Sequence, residues 1–343
     1  MSGISLLIGT SRVTELAARI DFKMMHQLKN VLRSSVTLYC VSVIAFDFMQ
    51  GVALGLGFNR RHVGTLTGGS PADVDATVLR IKDTVDSYMR GSGVSSLRGS
   101  VAEVGPGDNL GVALMLLDKG AEIVHAIDRF DGLRGQNEQS AIYRRLASSG
   151  RLNQYLDESN SVISLRGVTY QCGRSAEDYF RETSTEYDCI FSFSVLEHVI
   201  NPILCLSLMQ RSLSSSGVMV HVVDFSDHKM LGDVHPLKFL TIPGAIYRRM
   251  VRNGARPNRI MLHEYKKWIR QSQLESEILV RRLVDGTILE TAAAWNDIDD
   301  QIRRRAVERV VELRPRLAAE FADAPDEDLA VLEAIISIRS RSG

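Results

Sequence analysis

Short apolar runs recur along the chain, and between them the polar positions fall into helical spacing. Residues 101–104, 123–127, 168–172, 189–193, 218–223, 278–283 and 332–338 are each of strand length and bounded by turn-forming or polar residues. Residues 110–117 form an apolar helix candidate, and within 71–89 Val74, Val78, Ile81, Val85 and Met89 recur at three- and four-residue intervals. Strands that alternate with helices predict an α/β fold with a mostly parallel, doubly wound sheet. Residues 262–271 read as a further helix, and 288–321 read as helical except near Pro315.

The chain ahead of the first strand is patterned differently. Residues 36–58 are apolar over the length of a membrane span. Asp47 and Gln50 stand at the middle, however, and Gly51, Gly55 and Gly57 weaken the segment as a helix. A central Asp costs about 2.5–3.5 kcal/mol on insertion scales, so a buried or partner-facing segment is expected in preference to a span. Self-association through this region is one form that such a role takes. Residues 1–27 hold Arg12, Glu15, Arg19, Asp21 and Lys23 and lack a signal-peptide pattern. The glycine- and serine-rich stretch 91–96 connects loosely to the first strand. It predicts a mainly helical cover or partner region over 1–96 and a catalytic domain over 97–343.

Candidate chemistry begins where the first strand ends. Glu103 is followed by the turn Gly105-Pro106-Gly107, and a helix opens a few residues later. Glycines serve where backbone must turn tightly and let a ligand approach its N–H groups, and a helix N-terminus adds a pole that favours anions. The turn departs from the dinucleotide fingerprint, because Gly111 comes four residues after Gly107 where that pattern requires three. Asp128 closes the second strand 23 residues after Gly105. That is near the offset of roughly 20 at which a carboxylate meets a ribose in nucleotide-binding βαβ units. Such a carboxylate accepts hydrogen bonds from both vicinal hydroxyls.

Three further stretches follow in order: Gly173-Arg-Ser-Ala-Glu-Asp178, then Tyr187-Asp-Cys-Ile-Phe-Ser-Phe-Ser-Val-Leu-Glu-His-Val199, then Leu213-Ser-Ser-Ser-Gly217. Together with Glu103-x-Gly105-x-Gly107 they resemble the ordered motifs of class I S-adenosylmethionine-dependent methyltransferases. The last stretch lacks the Lys and Pro of the usual turn. The resemblance implies S-adenosylmethionine as cofactor, with Glu103 toward its methionine end and the Gly105, Pro106 and Gly107 turn beneath it. Ser175, Ala176 and Glu177 would border the adenine, although Ser175 followed by two acids is also a helix N-cap by itself. Ser194 would lie at the carboxyl end of the sheet, where open α/β folds bind ligands. It further implies a Rossmann-like sheet of seven strands with the last one antiparallel, and hence a helical insertion at about 286–328 before that strand.

Charge and cysteines narrow the partners. Basic and acidic residues balance at 41 each, which gives no electrostatic footprint for nucleic acid. Nothing resembles the N-P-P-Y stretch of amino-group methyltransferases acting on bases, since Ser192-Phe-Ser-Val195 stands at that point. Cys40, Cys172, Cys189 and Cys205 show no metal spacing and read as reduced core thiols of a cytoplasmic protein.

Beyond the fifth strand, His221-Val-Val-Asp-Phe-Ser-Asp-His228 carries polar side chains into a loop, and His235-Pro-Leu-Lys-Phe-Leu240 and Arg256-Pro-Asn-Arg259 follow. These resemble a bacterial methyltransferase subgroup associated with polysaccharide and glycoconjugate genes, which implies a small-molecule or glycan acceptor. A sugar hydroxyl needs a proton acceptor, and His supplies one near neutrality. His228, Asp224 and His198 are the candidates, with His198 also readable as a wall of the cofactor pocket. Asp224, Asp227 and His228 include divalent-ion ligand types, but their spacing matches no recognised metal site. Arg259 and Lys238 are candidates for an anionic substrate or for solvated roles. Two alternatives remain at this stage: a nicotinamide-dependent oxidoreductase, and a catalytically silent methyltransferase-like subunit that docks partners or membranes.

Overall fold

β1 (Ser100–Val104) lies inside the sheet, with Val101 buried on one face and Ala102 and Val104 on the other, as a parallel strand covered from two sides requires, and Glu103 is its one buried charged residue. The structure is a computed structural model that describes residues 36–55, 73–133, 135–158, 163–231, 235–252 and 256–340. The signal-peptide reading of 1–27 lies outside those residues, as do Gly57 and Pro71.

In chain order the strands are β1, β2 (Ile123–Asp128), β3 (Leu156–Asp157), β4 (Ser164–Leu165), β5 (Val168–Cys172), β6 (Tyr187–Phe193), β7 (Leu213–Asp224), β8 (Glu275–Leu283), β9 (Ile288–Ala293) and β10 (Val331–Arg339). The helices are α1 (Val36–Gly55), α2 (Val74–Ser92), α3 (Gly111–Asp118), α4 (Gln136–Leu146), α5 (Ala176–Glu182), α6 (Pro202–Arg211), α7 (Gly244–Met250), α8 (Leu262–Ser272), α9 (Asp300–Leu313) and α10 (Asp326–Leu329). β3 and β4 form a small separate ribbon, and the main sheet runs β5-β2-β1-β6-β7-β10-β8-β9. β5, β2, β1, β6 and β7 are mutually parallel, while β10 runs antiparallel to both β7 and β8. The expected Rossmann-like architecture is therefore present, with its antiparallel final strand.

The sheet has eight strands where seven were expected. The additional one is β9, in a stretch whose pattern reads as helix. Asp285 and Gly286 form a tight hairpin after β8: Gly286 sits at φ +92°, its N–H donates to Leu283 O at 3.0 Å, and Leu283 N–H donates to Thr287 O at 2.9 Å. An Asp-Gly turn is a strong hairpin signal, and pairing along β8 overrides the helical preference of Leu289 to Ala293. The helix resumes only at α9, where Asp299 caps Gln301 N at 2.9 Å.

Alternation along β1 divides the core into two layers. Val101 faces one apolar cluster with Val85, Tyr88, Leu114 and Phe191, and Ala102 and Val104 face the other with Leu206, Met209 and Tyr265. α2 lies on the first face, where Tyr88 stacks on Phe191 with ring centroids 4.6 Å apart. Gly91 permits that approach, since a Cβ there would stand 2.4 Å from Val220 Cγ1. α1 packs its Tyr39, Cys40 and Val43 into the second cluster beside α7 and buries Asp47. Among the described residues no helix is long and apolar enough to cross a membrane. The reading of all four cysteines as core thiols is corrected at Cys172, which ends the edge strand β5 and is exposed.

Candidate active site

The chain order reverses between β1 and β6: β2 and β5 extend the sheet one way from β1, and β6 and β7 the other way. Ligands of open α/β sheets bind in the crevice beyond the carboxyl ends of strands at such a switch point. The candidate residues gather on its two sides.

On the β1 side, Gly105 and Gly107 adopt φ of +73° and +77°, a region that only glycine enters without cost. Gly105 N–H donates to Ile127 O at 2.8 Å, which ties the turn to β2. A Cβ on Gly105 would lie 2.4 Å from Val195 Cγ2, so the turn after β1 and the segment after β6 are nearly in contact. Part of the following helix start is satisfied internally. Asn109 Oδ1 accepts from Gly111 N at 2.9 Å, and Leu110 N donates to Tyr143 Oη at 3.2 Å. The anion-favouring pole expected there is correspondingly reduced.

Glu103 is 2% exposed, and its Oε2 has no hydrogen-bond partner. Burial, with the charge of Asp128 adding, pushes its carboxyl up to about 8. Asp128 is half-buried at the end of β2, and its Oδ1 accepts from Phe130 N at 3.0 Å. Ser175 caps α5, accepting from Asp178 N at 3.1 Å and donating to Asp178 Oδ2 at 2.8 Å. Ala176 is packed in the core beneath it, and Glu177 is half-buried.

On the β6 side, Ser194 takes φ +52° and donates its N–H to Val222 O at 2.9 Å. A left-handed conformation is strained for a non-glycine residue and turns the chain sharply. The 3₁₀ turn Leu196–His198 follows. It is pinned from outside by Asn258, whose Nδ2 donates to Leu196 O at 2.8 Å and Val199 O at 2.9 Å, while its N–H donates to Glu197 O. This turn buries Glu197 to 2% exposure, and neither carboxylate oxygen meets a hydrogen-bond partner. Burial raises its carboxyl well above the ordinary range, against opposing backbone N–H groups of Glu197 and Asp224. The sequence reading carried Glu197 only as a letter of the motif.

Asp224 ends β7. Its Oδ1 accepts from Ser226 N at 2.8 Å, and its Oδ2 pairs with Arg282 at 2.7 Å and faces His228 Nε2 at 3.5 Å. His228 sits at φ +50°, with its Nε2 also 3.9 Å from Glu197 Oε1 and its ring 5.0 Å from that of His198. Burial lowers the His228 pKa, Asp224 opposes that, and Arg282 reinforces it. The ring is thus neutral at a higher proton concentration than a free histidine. Glu197, His198, Asp224 and His228 form one cluster, drawn from the ends of neighbouring strands.

Other candidates lie elsewhere or are already engaged. Asp227 accepts from Lys229 N at 2.9 Å and Leu231 N at 3.1 Å, which commits it to its own loop. His235 accepts from Leu237 N at 3.1 Å and donates to Arg309 O at 3.1 Å. Arg259 does not face the crevice as an anion contact: it donates to Phe239 O and Ile242 O, pairs with Glu320, and lies over the rings of Tyr247 and Phe321. Lys238 is half-buried.

The profile of the methyltransferase-domain family matches residues 80–276, more than half of the chain. No curated protein matches the sequence. Among solved structures, a protein described as a sarcosine dimethylglycine methyltransferase from Galdieria sulphuraria is 13% identical, with a TM-score of 0.40 over 88% of this chain and 99% of its own. The N-methyltransferase NodS from Bradyrhizobium japonicum, solved with S-adenosyl-L-homocysteine, is 11% identical, with a TM-score of 0.37 over 80% of this chain and 94% of its own. An O-methyltransferase family 2 protein from Planctomyces limnophilus, in complex with apigenin, is 12% identical, with a TM-score of 0.36 over 80% of this chain and 63% of its own.

Proposed function

The chain belongs to the methyltransferase-domain family and is an S-adenosylmethionine-dependent methyltransferase; from that premise we propose that its acceptor is a hydroxyl of a sugar, glycoconjugate or similar polar metabolite. Membership in the family sets aside the oxidoreductase alternative.

The residues at the β1 side suit the cofactor. The buried carboxyl of Glu103, whose Oε2 has no hydrogen-bond partner, suits an ammonium group, since pairing offsets the cost of a buried charge. The backbone at Gly105, Pro106 and Gly107 lets a ligand lie close, Asp128 suits the ribose hydroxyls, and Ser175, Ala176 and Glu177 border the adenine. Ser194 closes the crevice from β6. The cofactor supplies a methyl group already activated on a sulfonium, which leaves the protein to align the acceptor, exclude water and take a proton.

The observation that carries the hydroxyl reading is the placement of His228. Its Nε2 faces Asp224 Oδ2 at 3.5 Å beyond the end of β7, and burial favours the neutral ring that can accept a proton. Asp224, itself held by Arg282, favours the imidazolium once the proton has moved. His198, stacked edge-to-face at 5.0 Å, confines the His228 ring. A small-molecule or glycan acceptor, and no nucleic acid, accords with the balanced charge. Four unbridged cysteines support a cytoplasmic setting. Residues 1–96 act as a cover or partner region, and the exposed apolar row Leu38, Val41, Phe48, Met49 and Val52 on α1 supports self-association through it.

Incubation with methyl-labelled S-adenosylmethionine and a panel of nucleotide sugars and glycans, followed by mapping of the labelled product, tests the reading. The label is expected on oxygen. Label on nitrogen or carbon overturns the hydroxyl assignment.

A further inference from the structure

Glu197 poses a physical question that proton transfer to His228 leaves unanswered. It is 2% exposed, its oxygens meet no partner at full hydrogen-bonding geometry and are faced by the backbone N–H groups of Glu197 and Asp224, and its Oε1 lies 3.9 Å from the His228 Nε2. A buried carboxylate without a partner costs several kcal/mol when ionised, and a fold that only needed to fill this space would do so with an apolar side chain. The chain instead fixes it firmly, through the two side-chain hydrogen bonds of Asn258 to the carbonyls that flank the turn. The potential ligand atoms of Glu197, His198 and His228 all lie within 4.8 Å of one another. Donors around one ion at about 2.1 Å stand about 3–4 Å apart, so a contraction of about an ångström brings these three into one coordination sphere.

We propose that Glu197, His198 and His228 form a binding site for a first-row divalent cation of the Mn²⁺ to Zn²⁺ series. Two imidazoles and one carboxylate suit such ions, whereas Mg²⁺ prefers an all-oxygen set. The ion gives the Glu197 carboxylate the counter-charge that the protein withholds. Asp224 stays beside the ion, paired with Arg282. Three protein ligands leave positions open toward the crevice.

For its role, though not for its existence, the site rests on the hydroxyl-acceptor reading. A ring whose Nε2 holds a cation has no lone pair for a proton, so the metal takes over the activation assigned to the free His228. The acceptor hydroxyl coordinates the ion and its acidity rises. Its proton leaves to solvent, the new O–CH₃ bond forms as the S–CH₃ bond breaks, and the sulfonium departs as a neutral thioether.

The test uses the full chain, stripped with a chelator and without acceptor. Zn²⁺ is titrated by calorimetry, and Mn²⁺ by loss of the free-ion paramagnetic signal. One ion per chain is expected, with Glu197→Gln, His198→Ala and His228→Gln each weakening binding at least tenfold. Circular dichroism checks that each variant is folded, and the partly exposed His228 side chain makes its variant the safest of the three. Absence of saturable binding by the wild-type chain, or equal affinity in folded His228→Gln, overturns the site. The two readings fail separately. Ion binding at these residues with the methyl on nitrogen keeps the site and removes the hydroxyl reading. Oxygen methylation that chelator leaves at full rate, with no ion bound, does the reverse.

Discussion

Two buried glutamates stand on opposite sides of the same crevice, and their surroundings differ. Glu103 lies within β1 beside a glycine turn, with Asp128 as its charged neighbour. Glu197 lies in a single 3₁₀ turn after β6, with two histidines and Asp224 around it. Both carboxyls are raised chiefly by burial. One environment sets a buried carboxyl with an unpartnered oxygen, that of Glu103, near a second acidic side chain, as suits an incoming ammonium. The other offers nitrogen donors and a proton acceptor, as suits chemistry on an acceptor. The comparison teaches that burial alone does not assign a role, whereas the neighbours supplied by the adjacent strand end do.

The assignment breaks most readily at His228. His228→Ala is expected to lower kcat by about 10²–10⁴-fold, and steady-state kinetics with the identified acceptor measure it. A variant with full turnover would move proton removal to Asp224 or His198. A pH profile sharpens the same point. In the ion-free chain, where neutral His228 is the proton acceptor, the acid limb of the rate falls below the ordinary histidine pKa near 6.5, because burial lowers the group. A limb well above that value assigns it to another group.

On the Glu103 side the expected effect is on stability. Its folded pKa of about 8 lies above the ordinary carboxyl value of 4.5, so the folded cofactor-free chain holds a proton that the unfolded chain releases. The stability linked to that proton is complete below about pH 4.5 and is lost as pH rises toward 8. Glu103→Gln is therefore expected to gain stability relative to wild type over that interval, by a few kcal/mol at most (~1.4 per pKa unit). Denaturant titrations at pH 5 and pH 8 without cofactor read the difference, and a gap that does not widen with pH contradicts the raised pKa. The smallest expected effect is at Asn258. Asn258→Ala removes two hydrogen bonds that hold the Glu197 turn, at a cost of about 1–3 kcal/mol. Thermal unfolding measures it, and an unchanged midpoint means that the turn holds itself.

The two sides were unequally legible in the sequence. Glu103, Gly105, Gly107 and Asp128 stand in local patterns whose spacing carries their geometry, and the structure places them at neighbouring strand ends. The grouping of Glu197 with His228 was not legible, because it depends on β6 and β7 lying side by side and on the left-handed turn at His228. Asn258 was visible only as part of an N-R pair, with nothing local to say that its side chain crosses to the turn after β6. Arg259 misled for a related reason: a cation over two aromatic rings and paired with Glu320 looks in sequence like any exposed arginine. β9 was missed through weight given to helical composition over the Asp285-Gly286 turn.

The central claim is a division of labour, with cofactor binding on the Glu103 and Asp128 side and acceptor chemistry on the His228 side. Calorimetry with S-adenosylhomocysteine on three proteins tests it most directly: wild type, Asp128→Ala and His228→Ala. The account predicts that Asp128→Ala binds about ten- to a hundredfold more weakly, as for a lost hydrogen bond of about 1.5–3 kcal/mol to a charged group. It predicts that His228→Ala binds as wild type does. Equal weakening in both variants, or weakening in His228→Ala alone, would contradict it.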